Sequence, residues 1–257
     1  MTDSLQGIRV VVPVTKGRLD LADTLRGLGA TVMEGEFIVI QPTADPLALR
    51  AAVGRWCDGE YEWMAITSRN ALGALHAAAE TSGRTLTAPM PPASLAVVGE
   101  ATARASADIG LEVALRPSRQ QSAGGLVAEF PEGRGRVLVP VGNLAGDTLE
   151  RGLARKGWSV DAVEAYRTVD GPGLDADAVA AVGSGAVDAV VLTSGSVAKR
   201  FAAQCATVAQ NVAMIAMGQT TASAARAEGL DVALVAATPD YESVIAAVRR
   251  AVEGDRA

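Results

Sequence analysis

The sequence predicts an α/β protein of two similar parallel-sheet lobes with a cleft between them, and three observations carry that expectation. Apolar, β-branched runs alternate with helical patterns of about ten residues, as βαβ units do. The chain also repeats itself: the run from Trp63 to Leu72 is echoed from Ala189 to Ala198, each an apolar stretch ending in Thr-Ser and turning into a helical pattern. Residues 97–115 align without a gap on 216–234, so that Gly99, Thr102, Ala103, Gly110, Leu111, Val113, Ala114 and Leu115 all recur 119 positions later. Finally, 257 residues hold two domains of ordinary size. Their 49% apolar content is mostly Ala, Val and Leu and only 4% is aromatic, which suits Val-rich parallel strands under Ala-rich helices.

Element by element, Ile8 to Val14 reads as a strand and Leu19 to Leu28 as a helix closed by Gly29. Thr31 to Ile40 is extended, and a helix follows over Asp45 to Trp56, with Asp45 as its cap and Pro46 in its first turn. Glu62 to Ile66 is a strand, Asn70 to Glu80 a helix, Leu95 to Val98 a strand, Ala101 to Ile109 a helix and Val113 to Leu115 a short strand. A helix over Ala123 to Phe130 and a strand over Arg136 to Val141 come next. The segment Gly135 to Val169 then repeats the opening of the chain with one inserted residue, its helix falling at Asp147 to Arg155. Val190 to Leu192 and Met214 to Ala216 are strands, each followed by a helix, and Tyr241 to Val252 is the last helix. Phe37 to Pro42 and Val163 to Val169 are extended, break the rhythm, and suit a pair of linkers between two lobes.

A net charge of −6 and the lack of a basic run argue against nucleic acid. Cys57 and Cys205 are flanked by ordinary helix residues and read as reduced thiols, and the single histidine, His76, has no partners for a triad or a zinc site, so no metal is expected. The apolar patch Val10 to Val14 is too short for a signal peptide and no run approaches a membrane span, so a cytoplasmic protein without membrane attachment is expected.

In parallel α/β sheets the ligand edge is the carboxyl end of the strands. Four loops put hydroxyls there: Thr67-Ser68-Arg69-Asn70, Gly99 to Thr102, Thr193-Ser194-Gly195-Ser196, and Gly218-Gln219-Thr220-Thr221. Each hydroxyl either caps a helix or turns toward a ligand beside free N–H groups. Four such loops, paired across a repeat, point to a neutral, donor-rich anion site. A single helix-end contact contributes only about 0.3 to 1 kcal/mol, so the site suits a ligand with several carboxylates. Nucleotide motifs are missing. The pairs Gly133/Gly135, Gly171/Gly173 and Gly183/Gly185 do not complete Gly-x-Gly-x-x-Gly and fall outside strand–helix junctions, and Lys16, Lys156 and Lys199 lack a glycine run before them.

From Gly7 to Val248 these fragments resemble the uroporphyrinogen-III synthases of tetrapyrrole biosynthesis. The likeness rests on the Thr-Ser strand at 63–71, Val97 to Ala103, Gly157 to Val160 with Glu164 to Thr168, Leu192 to Ser196, and Ala216 to Ala222. It implies two lobes joined by a two-stranded linker: residues 1–37 with 170–257, and 43–162, with 38–42 and 163–169 crossing between them. It also implies a cofactor-free monomer that closes hydroxymethylbilane to uroporphyrinogen III, with ring D inverted and water lost. Tyr166 then matches the family tyrosine proposed as proton donor. Because a phenol is a weak acid, hydrogen bonding to the leaving hydroxyl suits it better than full proton transfer. Thr67, Ser68, Asn70, Thr102, Ser194, Ser196, Thr220 and Thr221 would bind substrate carboxylates, and Arg69 and Lys199 could add charge. The family pattern departs at Val141-Gly142 and Gly146, where relatives carry basic residues, and its arginine after the first strand becomes Lys16 or Arg18. The alternative is a non-catalytic two-lobe module that binds a polycarboxylate metabolite.

Overall fold

A computed structural model describes residues 4–14, 20–87 and 92–254. Along the chain run β1 (Arg9–Pro13), α1 (Asp20–Gly27), β2 (Thr31–Pro42), α2 (Pro46–Cys57), β3 (Trp63–Ile66), α3 (Arg69–Thr81), β4 (Ser94–Val97), α4 (Glu100–Asp108), β5 (Val113–Leu115) and α5 (Ala123–Glu129). They continue with β6 (Arg136–Gly142), α6 (Thr148–Arg155), β7 (Ser159–Gly173), α7 (Ala176–Ser184), β8 (Ala189–Leu192), α8 (Gly195–Gln204), β9 (Ala213–Ala216), α9 (Gln219–Ala227), β10 (Val232–Val235) and α10 (Tyr241–Gly254). The chain divides into two compact units. A split unit joins Met1–Val39 to Val169–Ala257, and a middle unit is Ile40–Thr168, so the chain changes unit within β2 and again within β7.

Each unit is an open parallel α/β sheet, and the two have the same strand order. The middle unit runs β7-β6-β3-β4-β5, and the split unit runs β2-β1-β8-β9-β10; every adjacent pair in both is parallel. The split unit is therefore a circular permutation of the middle one, with β8-β9-β10 standing for β3-β4-β5 and β1-β2 for β6-β7. The sequence echoes follow this correspondence into fine detail. The β4–β5 ladder shifts register between Leu95↔Val113 and Ala96↔Leu115, and the β9–β10 ladder shifts at Met214↔Val232 and Ile215↔Leu234, each residue 119 positions on. Gly110 (φ 79°) and Gly229 (φ 80°) turn the chain in the same left-handed way before β5 and β10, where a side chain is strained.

Strand alternation sends neighbouring residues to opposite sheet faces, and helices cover both. In the split unit Val10 and Val12 pack with Leu25, Val244 and Val248, while Val11 packs with Val182, Phe201 and Ala225. In the middle unit Val137 and Val139 pack with Leu126, Phe130 and Leu153, while Leu138 packs with Trp56, Leu72 and Leu75. Asp45 caps α2 by accepting from Ala48 N at 2.9 Å, and Pro46 opens it.

One element departs from expectation. Helix α7, the counterpart of α2, escapes a sequence reading because its run Ala176 to Ser184 is short and lacks a polar stripe, yet Asp175 caps it through Ala178 N at 2.8 Å. The pair Gly171/Gly173 lies within the last residues of β7, ahead of the short turn to α7. The capping Asp175 carboxylate already takes the start of that helix, which disfavours a phosphate there. Among the described residues no helix is long and apolar enough to cross a membrane.

Candidate functional site

In an open α/β sheet the ligand crevice lies where the strand order reverses, outside the carboxyl ends. In the middle unit that point falls between β3 and β6, because the chain steps outward from β3 to β4 and β5 and returns on the other side to β6 and β7. The loops opening there are Thr67-Ser68 after β3 and Gly142 to Asp147 after β6. In the split unit it falls between β8 and β1, where Thr193-Ser194 follows β8. Lys16 and Arg18, the cations expected after the first strand, lie outside the described residues.

The Thr-Ser loops cap their helices. Ser68 Oγ accepts from Asn70 N at 3.1 Å at the start of α3, and Ser194 Oγ accepts from Val197 N at 3.2 Å at the start of α8. A capping hydroxyl still has its own proton to donate, so capping does not remove either serine from ligand binding. Thr67 is exposed and Asn70 and Ser196 are half-buried, while Arg69 and Lys199 are exposed.

The Gly-x-x-Thr loops differ from these. Gly99 and Gly218 are the N-caps of α4 and α9 and, lacking side chains, leave both helix starts without a side-chain cap. One turn in, Thr102 and Thr221 are only 4% and 7% exposed. Neither hydroxyl makes a hydrogen bond among the described residues, and neither oxygen is itself shut off from solvent, so each is free to donate outward. Each unit thus presents a helix start without a side-chain cap and, one turn in, a solvent-reachable hydroxyl without a protein partner among the described residues. Thr220 is exposed. The first residues of the two helices differ. Glu100 of α4 is ion-paired to Arg104 at 3.0 Å and to Arg116, whereas α9 begins with neutral Gln219.

Tyr166 stands on β7 beside the end of β6. Its half-buried ring packs against the α2–α3 face of the sheet, and its Oη makes no hydrogen bond among the described residues. The ring lies directly over Gly142, where a Cβ would stand 2.6 Å from Cζ and 2.9 Å from Oη. This glycine is required by close approach, which sequence gives no means of seeing.

A second polar cluster, missed in the sequence, belongs to the opposite strand end. Tyr61 Oη accepts from Arg55 Nε at 2.8 Å and donates to Asp161, which also accepts from Arg55 Nη2 at 2.8 Å. Arg136 lies 5.0 Å over the Tyr61 ring and pairs with Glu60 at 2.7 Å. Burial and the bond to Asp161 push the Tyr61 phenol up to about 12. Burial alone would raise the Asp161 carboxyl, but the bonds from Tyr61 and Arg55 outweigh it and hold it below its usual range. Among the described residues no group of three or more His, Cys, Asp or Glu is placed to hold a metal ion.

Two open parallel α/β sheet units of the same strand order, each with an uncapped helix start, define the class of protein as a duplicated α/β fold. Within that class the chain belongs to the uroporphyrinogen-III synthase family: the family's sequence model, described as HEM4, uroporphyrinogen-III synthase HemD, matches residues 20–246. A protein of Oryza sativa subsp. japonica named uroporphyrinogen-III synthase, chloroplastic, is 30% identical over 206 residues, covering 75% of this chain and 65% of that protein. The chain thus spans about two thirds of that relative's length. A mutant uroporphyrinogen III synthase from the extremely thermophilic bacterium Thermus thermophilus has a similar fold, with a TM-score of 0.74 at 21% identity over 96% of this chain and 100% of that one. Another, from Helicobacter pylori, gives 0.61 at 16% identity over 95% and 99%.

Proposed function

We propose that the chain is a uroporphyrinogen-III synthase, which closes hydroxymethylbilane to uroporphyrinogen III with inversion of ring D and loss of water. The observation that carries this is the pair of uncapped helix starts at Gly99 and Gly218, each with a largely buried threonine whose hydroxyl has no protein partner among the described residues and stays open to solvent. Two matching sets of donors suit a substrate rich in carboxylates, and family membership supplies the substrate.

In this reading Thr102, Thr221, Ser68, Ser194, Ser196, Thr67, Thr220 and Asn70 donate to substrate carboxylates, from side chains or from the helix-start N–H groups beside them. Tyr166 Oη donates to the departing hydroxyl as the carbon–oxygen bond breaks, and ring D attacks the cation left behind. The work is mostly conformational: bilane folded so that ring D attacks through its substituted carbon gives isomer III, whereas unassisted closure gives isomer I. Hydrogen bonding from Tyr166 lowers the cost of the leaving group. The protein is further proposed to act as a cytoplasmic monomer, which sedimentation at working concentration and localisation of a tagged copy test.

The test supplies hydroxymethylbilane generated in situ and separates the cyclised isomers. The proposal expects isomer III in excess; isomer I alone, at the spontaneous rate, refutes it.

A further inference from the structure

The ladder between β6 and β7 is regular from Arg136↔Ser159 to Val141↔Glu164 and then skips one residue, so that Gly142 faces Tyr166 and Ala165 has no partner. A bulge of this kind re-aims the side chains that follow it but leaves the ladder beyond it poorly tied. One residue repairs it. Asn143 N donates to Tyr166 O at 3.2 Å. Its side-chain Oδ1 accepts from Thr168 N at 2.7 Å, and its Nδ2 donates to Thr168 O at 3.3 Å. The carboxamide presents an acceptor and a donor to both backbone groups of Thr168, as a peptide unit of a neighbouring strand would. Tyr166 is therefore tied at its own carbonyl and again two residues on, with Gly142 beneath its ring.

We infer that Asn143 is the positioning residue of this site: its three bonds across the bulge fix the Tyr166 hydroxyl over Gly142, at the carboxyl edge of the middle unit where the substrate reacts. The inference rests on the function proposed above. It adds that the rate of isomer III formation depends on a carboxamide that touches no substrate atom. An asparagine suits the task because it supplies a donor and an acceptor without charge. A carboxylate here would face the Thr168 carbonyl and repel substrate carboxylates.

The test reads position and rate separately. Protein labelled with 3-fluorotyrosine carries three probes, at Tyr61, Tyr166 and Tyr241, and the fluorine resonance lost in Tyr166→Phe identifies the second. In Asn143→Ala the Tyr166 resonance is expected to shift or broaden while the other two stay put. The kcat for isomer III is expected to fall roughly tenfold with KM within about twofold, the scale of a small misplacement of a reacting group. In the Tyr166→Phe background the same change is expected to cost nothing more, since Asn143 acts through Tyr166. Asn143→Asp keeps the acceptor for Thr168 N and is expected to retain part of the rate, which serves if the alanine variant does not fold. An unmoved Tyr166 resonance, movement of all three, or additive losses in the double variant each overturn the inference. A shifted resonance with Tyr166→Phe fully active leaves the positioning in place and removes the proposed role of Tyr166 instead.

Discussion

The β1–β2 pair of the split unit and the β6–β7 pair of the middle unit keep equivalent register from Arg9↔Thr31 and Arg136↔Ser159 as far as Pro13↔Gly35 and Pro140↔Val163. Their side chains have diverged at both ends of that common frame. Opposite Val11 the split unit has Met33, half-buried against its core, whereas opposite Leu138 the middle unit has Asp161, tied to Tyr61 and Arg55. Seven residues beyond the start of each outer strand the split unit has Ile38, packed on apolar neighbours, where the middle unit has Tyr166. The helix starts differ by one charge, Gln219 against Glu100. A duplicated frame thus offers the same donor geometry twice, while the hydroxyl proposed to assist the reaction and the ionic cluster belong to one copy.

Exchanging the diverged positions probes this division of labour. Converting Tyr166 to Ile, the residue at the equivalent point of the split unit, is expected to cost about a hundredfold in kcat, the low end for a lost proton-sharing group, while Ile38→Val stays within about twofold. Isomer-resolved kinetics on both variants check it; equal losses would mean that the two positions share a structural role.

Asp161→Asn is expected to lower unfolding free energy by about 2 kcal/mol, as loss of a partly buried charge-assisted cluster does. Met33→Leu in the split unit should cost under about 1 kcal/mol. The pH dependence has a defined sign. Asp161 is held below its usual range when folded, so its contribution is present above about pH 4 and is lost as pH falls through the lower folded value. Tyr61 is raised when folded, so its contribution is present below about pH 10 and is lost as pH rises toward 12. Denaturant melts across pH read both limbs, and neither should survive in Tyr61→Phe/Asp161→Asn.

Thr221→Val and Thr102→Val are each expected to raise KM about tenfold with kcat little changed, because each removes one hydrogen bond to a charged group and keeps the packing volume. An effect confined to one of them would show that the two helix starts do not share the load. Glu100→Gln, which gives α4 the neutral start of α9, should lower KM by about two- to threefold and flatten its salt dependence.

The strand–helix rhythm and the echoes between 97–115 and 216–234 made the α/β class legible, since a parallel sheet buried on both faces writes apolar runs into the sequence. The echoes even extend to a recurring register shift, which only coordinates reveal. Helix α7 was hidden because Ala and Val surround it on every side and leave no stripe for a periodicity argument, although its Asp175 cap mirrors Asp45. For the site, Thr102 and Thr221 stood out by repetition alone. The bulge at Ala165, the ring of Tyr166 over Gly142 and the three bonds of Asn143 depend on register, which no local pattern encodes. The cluster of Arg55, Tyr61 and Asp161 was equally invisible, since Arg55 and Asp161 lie 106 residues apart.

If both units bind while the middle unit alone assists the chemistry, the decisive comparison is between the wild-type protein and Tyr166→Phe, by isomer-resolved kcat and KM on hydroxymethylbilane. Isomer III is expected from both, with kcat of the variant down by between one and two orders of magnitude, KM within about twofold, and a rising share of isomer I as spontaneous closure competes. Isomer III formed by Tyr166→Phe at the wild-type kcat would contradict this division between the units.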